Sequence, residues 1–68
     1  MGMNRLKVVL AEKQKKNIWL ADRIGKNKTT ISLWCTNQRQ PSLETLFEIA
    51  HILDVDVRQL IVSTKKTI

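Results

Sequence analysis

The chain has 68 residues, of which twelve are lysine or arginine and six are aspartate or glutamate, giving a formal net charge of +6. This length allows one domain with one small core and excludes a second folded domain. The single cysteine excludes an intramolecular disulfide, and no spaced set of cysteines and histidines indicates a zinc site. Charged residues recur from Met1 to Lys16, which argues against a signal peptide or a membrane span, so we expect a soluble protein. The lack of disulfides fits the reducing cytoplasm.

The positive charge is concentrated in the N-terminal part of the chain. Residues 1–40 contain nine lysines and arginines against two acidic residues, whereas residues 41–68 contain three against four. Such an excess predicts a polyanionic partner, either nucleic acid or an anionic membrane surface. Charge alone does not distinguish these two partners.

The spacing of apolar residues predicts two short amphipathic helices in the first third of the chain. The first extends from an N-cap at Asn4 to about Lys13, and the second from an N-cap at Asn17 to Gly25. Gly25 suits a left-handed turn, which would end the second helix sharply. The inward residues are Leu6, Val9 and Leu10 in the first helix and Leu20, Ala21 and Ile24 in the second.

A third helix of about eight residues is predicted after the N-cap Asn27. Helical spacing turns Ile31 and Trp34 towards the core. The outward residues are Lys28, Thr29, Ser32 and Leu33. The third helix therefore combines an apolar inner side with a mostly polar outer side.

Two further helices are predicted after a loop over residues 36–40. Ser42 follows Pro41 and caps the fourth helix, while Asp56 and Gln59 form a capping box that opens a short fifth helix. The apolar residues are Leu43, Leu46, Ala50 and Leu53 in the fourth helix and Val57, Leu60 and Ile61 in the fifth. The β-branched residues near the C-terminus have no partner run elsewhere, so no strand is predicted.

These elements predict an all-α fold of five helices over residues 1–62, followed by a polar tail over residues 63–68. One core should form from Leu6, Leu20, Ile24, Ile31, Trp34, Leu46, Ala50, Leu53 and Leu60. Several capped helices around one core argue against a membrane-surface peptide, which would show one large basic amphipathic face.

Two short helices joined by a glycine-containing turn can place the second helix in the major groove of DNA. The segment over residues 16–42 reads KNIWLADRIGKNKTTISLWCTNQRQPS and resembles the Cro and phage-repressor-type helix-turn-helix family, also called the XRE family. The matching positions are Leu20, Ala21, Gly25, Thr30, Ile31, Ser32, Trp34, Pro41, Ser42 and Leu43. The resemblance extends to Ile61. It implies a compact lambda-repressor-like domain that binds double-stranded DNA as a transcriptional regulator of the repressor kind, without a cofactor. We also expect a homodimer, because one short recognition helix contacts only a few base pairs.

The resemblance also implies roles for particular residues. Lys28, Thr29 and Leu33 stand where bases are read: lysine can donate to guanine, threonine can meet a base edge or a thymine methyl, and leucine can contact only a methyl. The implied contacts to the DNA backbone are Asn17, Asn27, Ser32, Thr36, Asn37, Arg39 and Gln40.

The sequence departs from the family pattern at three positions. Leu10 replaces a common arginine and Cys35 a common glutamate, so an internal ion pair is absent. Losing both partners together leaves no buried charge unpaired. Asn37 replaces a common glycine, and asparagine tolerates the left-handed backbone that this position is expected to require.

Four features admit a structural and a functional interpretation. Cys35 is interpreted as a small buried side chain rather than a redox sensor, and His51 as an exposed helix residue rather than a metal ligand. Trp19 either covers the core near Leu10 and Cys35 or lies exposed near DNA, and we favour the cover. The lysines at 13, 15 and 16 either form a solvated face or contact phosphates.

The sequence also leaves open which proteins this chain binds. A homodimer seam is predicted at Ile52, Val57, Ile61 and Val62, unless the fifth helix folds back over Ile52 and leaves no apolar patch. An antitoxin that binds both DNA and a protein toxin would have the same fold and is the alternative function. No catalytic or metal-binding constellation occurs in the sequence, so we expect no enzyme activity.

Overall fold

Four α-helices and one 3₁₀ helix make up most of residues 2–63, the part of the chain that the computed structural model describes. The helices are α1 (Leu6–Glu12), α2 (Asn17–Ile24), α3 (Lys28–Cys35), α4 (Leu43–Leu53) and the 3₁₀ helix (Val57–Leu60). Within residues 2–63 the only β-type pairing is an isolated antiparallel bridge between Asn4 and Ile61. The all-α prediction is therefore confirmed. Of the predicted polar tail, residues 64–68 lie outside the described residues.

Most of the predicted helix ends are present as local structures. Gly25 ends α2 in the left-handed region with a φ of 74°. The Asn27 side chain accepts a hydrogen bond from the Thr30 N–H at 2.7 Å, and the Ser42 hydroxyl accepts one from the Thr45 N–H at 3.1 Å. The 3₁₀ helix opens with the predicted capping box, although it is one tight turn that ends at Leu60 rather than Ile61.

The predicted N-cap of α1 was wrong by one residue. Arg5 is the N-cap, and Asn4 lies one residue outside, buried at 7% exposure. Its Oδ1 does accept from the Leu6 N–H at 3.0 Å, but its Nδ2 donates to the Trp34 carbonyl at 2.9 Å and to Gln40 Oε1 at 2.7 Å. Asn4 therefore joins the start of α1 to the segment that ends α3.

The predicted N-cap of α2 was wrong in a similar way. Lys16 is the N-cap and Asn17 is the first helical residue, and no side chain caps this helix. The Asn17 Oδ1 instead accepts from the Cys35 thiol, with 3.6 Å between Sγ and Oδ1. The Asn17 side chain thus contacts a residue 18 positions away and does not cap its own helix.

One core cluster contains residues from all four α-helices and the 3₁₀ helix. Its buried members are Leu6, Val9, Leu10, Leu20, Ala21, Ile31, Trp34, Cys35, Ile49, Ala50, Leu53 and Leu60. Ile24 and Leu46, predicted as core residues, are half-buried and pack against this cluster. Leu43 was wrongly placed in the α4 stripe, since it is 65% exposed, while Ile49, which the prediction omitted, is fully buried. At 100° per residue, Leu43 lies about 70° from the centre of the buried side of α4.

Asn37 connects the N-terminal segment to the loop after α3. Its φ of 60° confirms the left-handed conformation expected where the family has glycine. Its Oδ1 accepts from the N–H groups of Met3 and Asn4, both at 2.9 Å, and its Nδ2 donates to the Asn4 carbonyl at 3.2 Å. One side chain thus satisfies three backbone groups of a segment more than 30 residues away.

Leu10 and Cys35, the two departures that remove an ion pair, are both buried, at 3% and 8% exposure. Burial raises the pKa of the Cys35 thiol above its ordinary value, although the positive charge of Lys7 partly opposes this shift. Cys35 is therefore a neutral thiol at physiological pH, in agreement with the structural interpretation of this residue.

Replacing Trp34 with alanine should destabilise the protein by about 3 to 5 kcal/mol, because it removes the largest buried side chain of α3. That loss is comparable with the whole stability of so small a domain. Phe47→Ala is the control, since Phe47 is 56% exposed, and it should change the free energy of unfolding by less than about 0.5 kcal/mol. Denaturant unfolding of both variants measures the difference. Equal, small effects would contradict the packing of α3 described above.

Replacing Asn37 separates the cost of its backbone conformation from the value of its hydrogen bonds. Asn37→Gly and Asn37→Ala both lose the amide contacts to the N-terminal segment, but only alanine is strained at a φ of 60°. Asn37→Ala should therefore be less stable than Asn37→Gly by about 1 to 2 kcal/mol, as compared by thermal unfolding. Equal stability of the two variants would show that residue 37 does not need the left-handed conformation.

Candidate nucleic-acid interface

The centre of the candidate site is the unit formed by α2, a tight turn and α3. The N–H groups of Gly25 and Lys26 both donate to the Ala21 carbonyl, at 3.0 and 3.1 Å, and close the end of α2. Asn27 then caps α3, so only three residues separate the two helices. Short connections of this kind hold two helices at a fixed angle, and the inner side of α3 is buried against the core.

The outer side of α3 presents the predicted base-reading residues. Lys28 and Thr29 are exposed in its first turn, and neither side chain makes a hydrogen bond within residues 2–63. Ser32 is exposed and Leu33 is half-buried one turn further along. The beginning of α3 therefore carries two free donor side chains, and the next turn carries a partly apolar surface.

The residues after α3 fall into two groups. Arg39 is exposed and makes no side-chain hydrogen bond within the described residues. The Thr36 hydroxyl, in contrast, donates to the Ser32 carbonyl at 3.1 Å, and the Gln40 amide bonds to Asn37 Oδ1 at 3.1 Å. Asn37 itself is engaged by the N-terminal segment. Thr36, Asn37 and Gln40 thus shape this loop, whereas Arg39 remains available to a ligand.

Sequence reasoning did not identify the part that Gln38 takes in this loop. Its Nε2 donates to the Thr36 hydroxyl at 3.1 Å, while its backbone N–H donates to the Leu33 carbonyl at 3.0 Å. These bonds help to close the C-terminal end of α3. No local sequence signal distinguishes Gln38 from the neighbouring polar residues, so it could not have been found in advance.

Trp19 packs on the core and carries two cations. It is half-buried against the core cluster, as the covering interpretation expects. The Lys15 Nζ lies 4.8 Å from the centroid of its ring, and the Arg23 guanidinium carbon lies 5.0 Å from it. Sequence reasoning missed these contacts, although the spacing of four residues on either side of an aromatic ring was a usable signal.

Few of the positive charges are paired within the protein. Among residues 2–63 the one ion pair joins Arg58 and Asp56 at 2.9 Å, on the surface of the 3₁₀ helix. The hydrogen bonds that Arg58 donates lower the pKa of the Asp56 carboxyl. The nine lysines and arginines of residues 1–40 thus have no carboxylate partner there. Residues 1–40 therefore carry an excess of positive charge that no ion pair among the described residues neutralises.

His51 is exposed, as predicted, and residues 2–63 contain no group of three or more side chains that could bind a metal ion. Among the same residues, no helix is long and apolar enough to cross a membrane.

Comparison with known proteins agrees with this geometry. Residues 13–60 match the family described as Helix-turn-helix. A crystal structure from Bacteroides fragilis, described as that of a "putative DNA-binding protein", matches with a TM-score of 0.88 and 58% sequence identity, over 91% of this chain and 100% of that chain. No curated protein matches significantly. Because the matched segment contains α2, the turn and α3, the chain belongs to the helix-turn-helix family of the Cro and phage-repressor, or XRE, type.

Proposed function

We propose that the protein is a sequence-specific double-stranded DNA-binding protein that acts as a transcriptional regulator of the repressor kind, with α3 in the major groove. The observation that carries this proposal is the outer side of α3, where Lys28 and Thr29 are exposed on a helix whose inner side is buried. An α-helix fits the major groove, in which each base pair presents a distinct set of donors and acceptors. Such a regulator would work in the cytoplasm.

Base reading is assigned to Lys28, Thr29 and Leu33. The lysine ammonium can donate to guanine O6 and N7, and the threonine side chain can meet a base edge or a thymine methyl. Leu33 is half-buried, so its exposed part can meet only a methyl group. These three residues would set which sequence is preferred.

Affinity would come mainly from the DNA backbone. Arg39 and the lysines at 13, 15 and 16 are exposed and unpaired with carboxylates, so they can neutralise phosphates. The proposed neutral contacts are Asn17, Asn27, Ser32, Thr36, Asn37 and Gln40. Because Thr36, Asn37 and Gln40 already bond within the protein, their first effect would be to hold the loop beside the phosphates.

We further propose a two-fold homodimer, since one short helix reads only a few base pairs. Ile61 and Val62 are 41% and 36% exposed and lie beside Met3, which is 63% exposed and whose carbonyl accepts from the Val62 N–H at 3.0 Å. The two other residues of the predicted seam, Ile52 and Val57, are half-buried against the core. The seam would therefore centre on Ile61 and Val62. It would place two recognition helices about 34 Å apart, one turn of DNA.

A second candidate function, an antitoxin that binds DNA and a protein toxin, is favoured by one observation. Leu43 and Phe47 lie one turn apart on α4 and are 65% and 56% exposed, which is an apolar surface suited to a protein partner. Co-purification distinguishes the two functions. An antitoxin should form a stoichiometric complex with the product of an adjacent gene, and Phe47→Ser should abolish that complex.

Replacing Lys28 and Arg39 should have different effects on DNA binding. Lys28→Ala removes a base contact, so it should relax the preference at one base position and cost about 1 to 3 kcal/mol on the best site. Arg39→Ala removes a phosphate contact, so it should weaken binding to all sequences alike and lower the salt slope by about 1. Titrations of a selected and a random duplex at several salt concentrations measure both effects. Equal losses for Lys28→Ala on the two duplexes would refute the assignment.

Introducing a charge at the proposed seam should prevent dimer formation without unfolding the protein. Ile61→Lys should leave the monomer folded, because the side chain is 41% exposed, but it should sharply weaken binding to a two-half-site operator. Val8→Lys is the matched control, since Val8 is 44% exposed on α1 and outside the seam. Sedimentation and operator titration measure the outcome. Wild-type protein that stays monomeric and binds one half-site as tightly as two would contradict the dimer.

A further inference from the structure

The N-terminus of α2 lacks the side-chain cap that α3 and α4 have. Its N-cap is Lys16, and no side chain accepts from the first N–H groups of the helix. In α3 and α4 the same groups are served by Asn27 and Ser42. The start of α2 therefore keeps unsatisfied donors, which favour an anion.

The side chain of Asn17, the first residue of α2, is held by a residue on another helix. Cys35, in the last turn of α3, lies with its Sγ 3.6 Å from Asn17 Oδ1. A carboxamide has one oxygen that accepts and one nitrogen that donates. With the oxygen held at the thiol, the two N–H groups of Nδ2 remain available to an acceptor on a ligand.

The Cys35 thiol has the protonation state that this contact requires. The residue is buried at 8% exposure, and the burial raises the pKa of its thiol, so the sulfur keeps its proton at physiological pH. A thiol is a weak donor, whereas an ionised carboxylate only accepts. The protonated thiol therefore donates to the Asn17 oxygen, as the contact between the two side chains requires.

We propose that Cys35 is a positioning residue for DNA binding, whose thiol holds the Asn17 oxygen inward so that the Asn17 amide nitrogen faces a backbone phosphate at the start of α2. This inference rests on the proposed function, because it requires the unit of α2 and α3 to lie on DNA. An amide free to rotate would present its oxygen to the phosphate part of the time, and two acceptors repel each other.

The effect on binding should be modest and independent of sequence. Losing one hydrogen bond corresponds to about threefold to tenfold in Kd. Asn17 contacts a phosphate in this proposal, so selected and random duplexes should be affected alike. No cation is removed, so the salt slope should stay unchanged.

Four single variants and one double variant, at two positions, test the proposal. Cys35→Ala and Cys35→Val remove the donor, so each should raise Kd about threefold to tenfold, while Cys35→Ser keeps a donor and should bind as the wild type does. If Cys35→Ala does not fold, Cys35→Val retains more of the buried volume and replaces it. Asn17→Ala should raise Kd by the same amount, and adding Cys35→Val to it should cause no further loss.

The Tm of each variant is measured together with its Kd. A merely structural role of Cys35 would lower Tm without producing these changes in Kd. Leu10→Val is the structural control: it truncates a buried residue of α1 and should lower Tm but leave Kd unchanged. Wild-type Kd in both Cys35→Ala and Cys35→Val, or independent effects of Asn17→Ala and Cys35→Val, would overturn the inference. Wild-type protein that binds no duplex would overturn the proposed function itself.

Discussion

The burial of the inner side of α3 is the interaction on which the rest of the molecule depends. An isolated helix of eight residues is unstable in water, so α3 exists because Ile31, Trp34 and Cys35 pack into the core. The same packing determines which residues remain outside. Lys28 and Thr29 are exposed because the opposite side of the helix is anchored. The apolar pattern of α3 thus determines both how the helix packs and which of its residues can contact a ligand.

Hydrogen bonds hold the segments that the small apolar core does not stabilise by itself. Asn37 and Asn4 join the N-terminal segment to the loop after α3 through hydrogen bonds of 2.7 to 3.2 Å. The same segment pairs with the C-terminal side of the domain, where the Arg5 N–H donates to the Leu60 carbonyl at 2.9 Å. Among residues 2–63, every buried side-chain nitrogen and oxygen has a partner. These contacts hold the loop that carries Arg39.

The helix caps and the turn after α2 could be predicted from the sequence. Gly25, Asn27, Ser42 and the capping box at Asp56 could be read from the sequence because each acts on a backbone group within a few residues. The left-handed conformation of Asn37 followed from the glycine expected at its position.

The errors came from contacts between distant segments. Asn4 and Asn17 have the residue type of a cap, but each side chain bonds to a residue at least 18 positions away. Leu43 and Ile49 were misjudged because helical periodicity gives the spacing of a stripe, whereas the neighbouring helices decide where its centre lies. For the candidate site, the outer residues of α3 were predicted, while the Cys35 to Asn17 contact required the structure.

The central claim is that the exposed side of α3 reads DNA sequence, and selection from a random duplex library tests it most directly. The ratio of Kd on random duplex to Kd on the selected site, at one physiological salt concentration, is the quantity to measure. We expect a common motif among the selected sites and a ratio of at least about 1,000. No common motif, with equal affinity for selected and random duplex, would contradict it.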